Sequence, residues 1–190
     1  MNVPNKLTVS RFVLTCVFLV VFFNPFPYSN TVALLLFSSA SLTDYYDGKI
    51  ARRDKLITNF GILMDPLADK ILICSAFIAF VDRNLIPAWM VVVIVARELA
   101  ITGLRLLAAS KNLVLAAEKF GKHKTIAQIV VSLSLLVLVS YPEWGSWSAP
   151  VFKAWVPMFA KISMWIAVIL TGFSGFIYLW NNRNLYIHDV

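Results

Sequence analysis

The chain has 190 residues, 59% of them hydrophobic, and a mean hydropathy of +0.76. A soluble domain of this size cannot bury so much apolar surface, so lipid is the expected solvent and no stretch is left for a separate soluble module. The net charge of +7 does not point to nucleic acid, because the basic residues collect in short loops between apolar runs and form no extended basic face.

Six apolar segments follow in chain order, at about 8–26, 31–50, 61–81, 86–108, 125–141 and 157–180. Each is near the roughly 20 residues that a spanning helix needs. The expectation is an all-α integral membrane protein with six transmembrane helices in one membrane-embedded domain over residues 1–190. In the first segment, Lys6 and Arg11 precede the apolar run Phe12–Phe23, as in a signal peptide. Asn24-Pro25-Phe26-Pro27-Tyr28 follows without small residues at a cleavage position, so a retained first span is expected. Cys16 and Cys74 lie in apolar stretches with no paired spacing, as small lipid- or core-facing residues do. Turn chemistry closes the third segment at Asp82-Arg83-Asn84 and the fifth at Pro142 and Gly145. The loop from Tyr141 to Trp155 carries Trp144, Trp147 and Trp155, the pattern of an interfacial aromatic belt.

Orientation follows from the lysines and arginines. Lys6, Arg11, Lys49, Arg52, Arg53, Lys55, Arg105, Lys111, Lys119, Lys122, Lys124 and Arg183 fall on one side, and Arg83, Lys153 and Lys161 on the other. Twelve against three places both termini in the cytoplasm. Lys70 and Arg97 fall inside segments.

The second and third segments carry Asp44, Asp47, Asp65 and Asp69. A charged side chain within a span costs about 2.5–3.5 kcal/mol on insertion scales, so these carboxylates need a reason to be there. Helical spacing puts Asp44, Asp47, Gly48 and Ala51 on one face, at i, i+3, i+4 and i+7. Asp65 and Asp69 are neighbours at i and i+4. Brought together by the polar turn Arg52–Asn59, the carboxylates would repel by about 3 kcal/mol per pair at ~5 Å and an effective dielectric near 20. Divalent cations remove that penalty, and oxygen-only ligands suit Mg²⁺, Mn²⁺ or Ca²⁺. Gly48, Ala51 and Gly61 leave a gap between helices, which serves either close packing or a flat group such as a nucleotide base. Pro66 is expected to kink its helix and free the carbonyl of Ile62.

Asp44-Tyr-Tyr-Asp47-Gly48-Lys-Ile-Ala51-Arg52, eight residues, then Gly61-Ile-Leu-Met-Asp65-Pro-Leu-Ala-Asp69 resembles the signature of the CDP-alcohol phosphotransferase family. That signature reads D-x2-D-G-x2-A-R-x8-G-x3-D-x3-D, and every fixed position is present. The resemblance implies a six-helix membrane fold, usually homodimeric, with a site open to cytoplasm and bilayer. It implies two divalent cations, Mg²⁺ or Mn²⁺, held by Asp44, Asp47, Asp65 and Asp69, with Asp69 doubling as the base. It also implies a cytidine pocket lined by Gly48, Ala51 and Gly61. Arg52 either neutralises phosphate or marks the cytoplasmic side with Arg53.

The acceptor is narrowed by Arg97-Glu98 in the fourth segment, Arg105 on the same face, and the loop Lys119-Phe-Gly121-Lys122-His123-Lys124-Thr125-Ile-Ala-Gln128. One reading makes the lysines topology signals and pairs Glu98 with Arg105. That reading suffices for Lys111 and Lys119. Arg97, Arg105, Lys122 and Lys124 are assigned to an anionic acceptor, because a neutral polyol needs no group of cations beside an aspartate cluster. The Arg-Glu…Arg pattern, Gly-Lys-x-Lys-Thr-x-x-Gln and the opening Asn2-Val-Pro4-Asn5-Lys-Leu7-Thr8-Val-Ser-Arg11 are similar to bacterial members of the family that use glycerol 3-phosphate. Asn5 joins Arg52 on the donor side by that resemblance. The implied reaction joins CDP-diacylglycerol and glycerol 3-phosphate at the cytoplasmic face of the bacterial inner membrane, with CMP released. Inositol phosphate, serine and phosphatidylglycerol are rival acceptors within the family, and the Gly-Lys-x-Lys-Thr run argues against serine. A cation transporter would spread its acidic residues over more spans and depths. His123 is read as a surface imidazole.

Overall fold

A computed structural model describes residues 3–53, 59–111, 113 and 120–187. Only the backbone is described for 3–7, 44–53, 59–63, 65, 66, 69, 120–122, 184 and 187. The described residues are mostly helical, without a strand. The helices are α1 (Val3–Phe23), α2 (Ser29–Arg53), α3 (Asn59–Asp82), α4 (Ala88–Ser110) and α5 (Phe120–Ser140). A 3-10 turn at Tyr141–Trp144 and the short α6 (Ser148–Phe152) lead into α7 (Val156–Asn181), followed by α8 (Asn184–Ile187).

Each apolar segment expected from the sequence lies mainly within one of the six long helices, and the helices run past the apolar runs at their polar ends. The clearest case is α5, which begins at Phe120 and so takes Lys122, His123 and Lys124 out of the expected loop and into its first turns. Cations at a helix N-terminus oppose the helix dipole. Lys124 is compensated by a partner on α4, described below. Pro66 does not interrupt α3.

The core is built where α1, α2 and α3 meet. Phe18, Phe22, Phe37, Phe77 and Phe80 are fully buried. Phe18 lies 5.7 Å from Phe22 and 5.8 Å from Phe37, and Phe22 meets Phe80 edge-on at 5.8 Å. α5 packs against α2 and α7, and α4 packs against α7. α3 ends as its Asp-Arg-Asn turn predicts. Asn84 adopts φ 57° and Leu85 N–H donates to the Phe80 carbonyl at 2.9 Å, so the last carbonyls of the helix are satisfied.

The end of the bundle away from the aspartates is clamped. The Glu143 carboxylate accepts from the backbone N–H of Asn30 at 3.0 Å and of Thr31 at 2.8 Å, and from both side chains at 2.8 and 2.6 Å. An anion is thereby placed on the first turn of α2, where the helix has N–H groups without an intrahelical acceptor. Trp144 Nε1 donates to Thr31 Oγ1 at 2.9 Å. The Arg83 guanidinium sits 4.5 Å from the centre of the Phe22 ring, donates to the Phe22 carbonyl, and reaches Asn30 Oδ1 at 3.3 Å. The expected aromatic belt is a packed cluster here, with Phe152 in contact with Tyr141, Trp144, Trp147 and Trp155 at 5.3–6.4 Å.

The outer faces are apolar. Val92, Leu99 and Leu106, spaced by seven along α4, are 64–66% exposed, and Met158, Ile169, Phe173 and Phe176 of α7 are 60–67% exposed. Contiguous apolar surface of this kind suits lipid better than water. Two described helical stretches, His123–Trp144 and Val156–Asn181, are long and apolar enough to cross a membrane by themselves.

Candidate active site

The joined ends of α2 and α3 carry the aspartates. Residues 44–53 and 59–69 are helical, so the i, i+3 and i, i+4 spacings place Asp44 with Asp47, and Asp65 with Asp69, on shared faces. Gly48, Ala51 and Arg52 lie on α2, Gly61 on α3, Asn5 on α1 and Lys122 on α5. The side chains of all these residues lie outside the described ones. Among the described residues no three His, Cys, Asp or Glu side chains come together.

A charged cluster stands next to this region, where α3, α4 and α5 converge. Glu98 of α4 is 6% exposed and Lys124 of α5 is 7% exposed. The Lys124 ammonium donates to Glu98 Oε1, and Arg97 Nη1 lies 3.5 Å from the same oxygen. A buried carboxylate persists only when paired, since desolvating a lone charge costs several kcal/mol. Two of the four cations assigned to the acceptor therefore come together at Glu98, and they do so in the interior rather than in a solvated loop.

Arg105 does not join them. Glu98 pairs with Lys124 and Arg97, not with Arg105 as the spacing of seven would allow. Arg105 Nε donates to Tyr178 Oη of α7 at 3.3 Å, and its guanidinium lies 5.6 Å from that ring centre. The planar guanidinium finds an aromatic face with a hydroxyl beside it, which suits Arg better than Lys.

Three features were not singled out from the sequence. Lys70, one residue after Asp69, donates to Thr102 Oγ1 at 2.5 Å, and Thr102 in turn donates to the Glu98 carbonyl at 2.7 Å. Lys70, Ile73, Cys74, Glu98, Lys124, Thr125 and Gln128 line one small cavity. An ionisable residue inside an apolar segment was the available signal for Lys70. Gly175 of α7 lies against Arg97, so that a Cβ there would stand 2.6 Å from Arg97 Cγ. Arg11, counted with the cytoplasmic flank, is fully buried. His123 is exposed, and the exposed Lys111 donates to the Leu185 carbonyl at 3.2 Å. Cys16 and Cys74 form no disulfide with each other.

Comparison with known proteins agrees with the signature. Residues 1–173 match the family described as CDP-alcohol phosphatidyltransferase. A Bacillus subtilis (strain 168) protein named CDP-diacylglycerol–glycerol-3-phosphate 3-phosphatidyltransferase is 40% identical over 199 residues, covering 95% of each chain. Proteins of the same name from Rickettsia bellii and Salmonella typhimurium are each 33% identical. The Rickettsia match covers 93% of both chains, and the Salmonella match 94% of this chain and 93% of the relative. With the signature on α2 and α3 and a match over most of its length, the chain belongs to the CDP-alcohol phosphatidyltransferase family.

Proposed function

We propose that this chain transfers the phosphatidyl group of CDP-diacylglycerol to glycerol 3-phosphate, giving phosphatidylglycerophosphate and CMP. The observation that carries the acceptor is the buried Arg97–Glu98–Lys124 cluster on α4 and α5, tied to α3 beside Asp69 through Thr102 and Lys70. Besides pairing Glu98, buried cations of this kind suit a phosphate-bearing alcohol better than a neutral one. The names of the relatives support the same choice.

The chain's own residues divide the work. Asn5, Gly48, Ala51, Arg52 and Gly61 form the nucleotide side, while the acyl chains of the donor stay in the bilayer. Lys124 and Arg97, with Lys122 and Arg105, hold the acceptor phosphate and align its hydroxyl for in-line attack. Asp69 takes the hydroxyl proton as the new bond forms. Four carboxylates are a hard, oxygen-only donor set that fits Mg²⁺ or Mn²⁺. Asp44, Asp47, Asp65 and Asp69 would hold two such ions, which would supply charge neutralisation for the pyrophosphate.

The same reading makes the protein a multi-pass, homodimeric protein of the bacterial cytoplasmic membrane. α1–α5 and α7 cross the bilayer, with both termini and the site at the cytoplasmic face. The lengths of those six helices and the distribution of Lys and Arg support the spans and their orientation. The test is CMP release by the purified chain with CDP-diacylglycerol, Mg²⁺ and a panel of glycerol 3-phosphate, glycerol, inositol phosphate, serine and phosphatidylglycerol. Turnover with glycerol 3-phosphate alone is expected. Equal use of glycerol, or preference for another acceptor, would overturn the assignment.

A further inference from the structure

We propose that Lys70 is a further phosphate-binding cation of the acceptor site, seated by Thr102 and converging with Lys124 on the cavity beside Glu98. The inference rests on the acceptor reading above and adds to it a residue from the helix that carries Asp65 and Asp69.

Lys70 stands midway along α3, between Asn59 and Asp82. A lysine that serves only topology runs its chain to the membrane surface and keeps its ammonium in water. Lys70 is instead turned to α4, where its ammonium donates to Thr102 Oγ1 at 2.5 Å. Thr102 is itself fixed, because its hydroxyl proton goes to the Glu98 carbonyl at 2.7 Å. An ammonium has three N–H donors, and Thr102 takes one of them. The cavity lined by Lys70 is also lined by Glu98, Lys124, Thr125 and Gln128, so cations from α3 and α5 face one space.

Charge matching gives this arrangement its meaning. Among the described residues, Lys70, Arg97 and Lys124 are grouped around Glu98. A phosphate monoester carries about −1.5 to −2 at neutral pH. Lys70 adds one positive charge to those assigned to that group. Successive helix positions point about 100° apart. The residue after Asp69 is therefore the one that α3 can turn towards α4 while Asp69 stays on the face it shares with Asp65. One turn of α3 then presents the group that takes the hydroxyl proton and a group that grips the phosphate of the same acceptor.

The experiment uses the full chain in lipid nanodiscs with CDP-diacylglycerol, Mg²⁺ and glycerol 3-phosphate, reading CMP release and melting temperature. Lys70→Met is expected to raise KM for glycerol 3-phosphate by about ten-fold or more, as loss of one charge-assisted contact does, with KM for CDP-diacylglycerol little changed. Lys70→Arg should restore most of the loss, because it keeps the charge. Thr102→Val, which removes the seat but not the cation, should raise the same KM by a smaller factor and covers the case in which Lys70→Met does not fold. Arg97→Met is the reference arm. If Arg97→Met raises KM for glycerol 3-phosphate while Lys70→Met and Thr102→Val change only the melting temperature, Lys70 is a structural tie between α3 and α4 and the inference is wrong. If none of these variants moves that KM, the acceptor reading falls with it.

Discussion

Gly175 of α7 lies directly beneath the stem of Arg97 of α4, with room for a hydrogen and not for a methyl group. A Cβ at 2.6 Å from Arg97 Cγ would have to displace the part of the side chain nearest the backbone, so the whole guanidinium would swing away from Glu98. Gly175→Ala is therefore expected to raise KM for glycerol 3-phosphate several-fold. In an Arg97→Ala background the same change should cost nothing more, a coupling that a double-mutant cycle measures. Gly172, whose Cβ would meet only Val93 Cγ1 at 3.8 Å, is the control and should accept alanine. Equal losses in both backgrounds would mean that Gly175 sets the helix separation alone.

The aspartates predict a metal requirement. Asp47→Asn and Asp65→Asn should each abolish CMP release while the protein still inserts and purifies. EDTA should do the same to the unmodified chain, with activity restored by Mg²⁺ or Mn²⁺. Substantial turnover in chelator would rule out the two-cation site.

Burial of Glu98 changes how the acceptor lysine has to be tested. Lys124→Met alone removes the closest partner of a buried carboxylate, which typically costs about 3–5 kcal/mol of stability. Paired with Glu98→Gln, it should fold and still show a raised KM for glycerol 3-phosphate. Arg105→Met, held only by Tyr178 among the contacts resolved, needs no such compensation and should raise KM by about ten-fold. Lys111→Met, equally basic but exposed and remote from Glu98, should leave all constants unchanged. Identical behaviour of the three would reduce these cations to topology signals.

Glu143 is a prediction about stability rather than turnover. Glu143→Ala removes four hydrogen bonds from the first turn of α2 and is expected to cost about 0.5–2 kcal/mol, the range for losing a helix N-cap. A lower melting temperature with unchanged KM for both substrates is the expected result. A change in KM without a change in melting temperature would contradict it.

Much of the fold was legible because bilayer thickness imposes a length. Apolar runs near 20 residues can hardly be anything but long helices, and each of the six expected segments became one. The start of α5 was missed because Lys122, His123 and Lys124 read as solvated, whereas Lys124 is buried against Glu98. The same contact explains the misplaced partner. A spacing of seven on one helix suggested Arg105 for Glu98, but the ion pair that formed came from α5, and Arg105 found Tyr178. Lys70 and Gly175 stayed silent for a related reason. Their neighbours, Thr102 and Arg97, belong to other helices, and periodicity along one segment carries no information about them. The aspartate signature stands out in the sequence because its residues repeat locally, at i+3 and i+4, while their side chains lie outside the described ones.

The clamp at Asn30 and Thr31 makes α2 a lever with one end held. From Asn30 to Asp47 the helix spans about 25 Å at 1.5 Å per residue. A tilt of about 5° around the Glu143 anchor would move the backbone at Asp47 by about 2 Å, enough to widen or close the space between two helices. The fulcrum lies among Glu143, Trp144 and Arg83, as far from the carboxylates as α2 allows. Any rocking of α2 is thus smallest at the aromatic cluster and greatest where the nucleotide and the acceptor must be brought together.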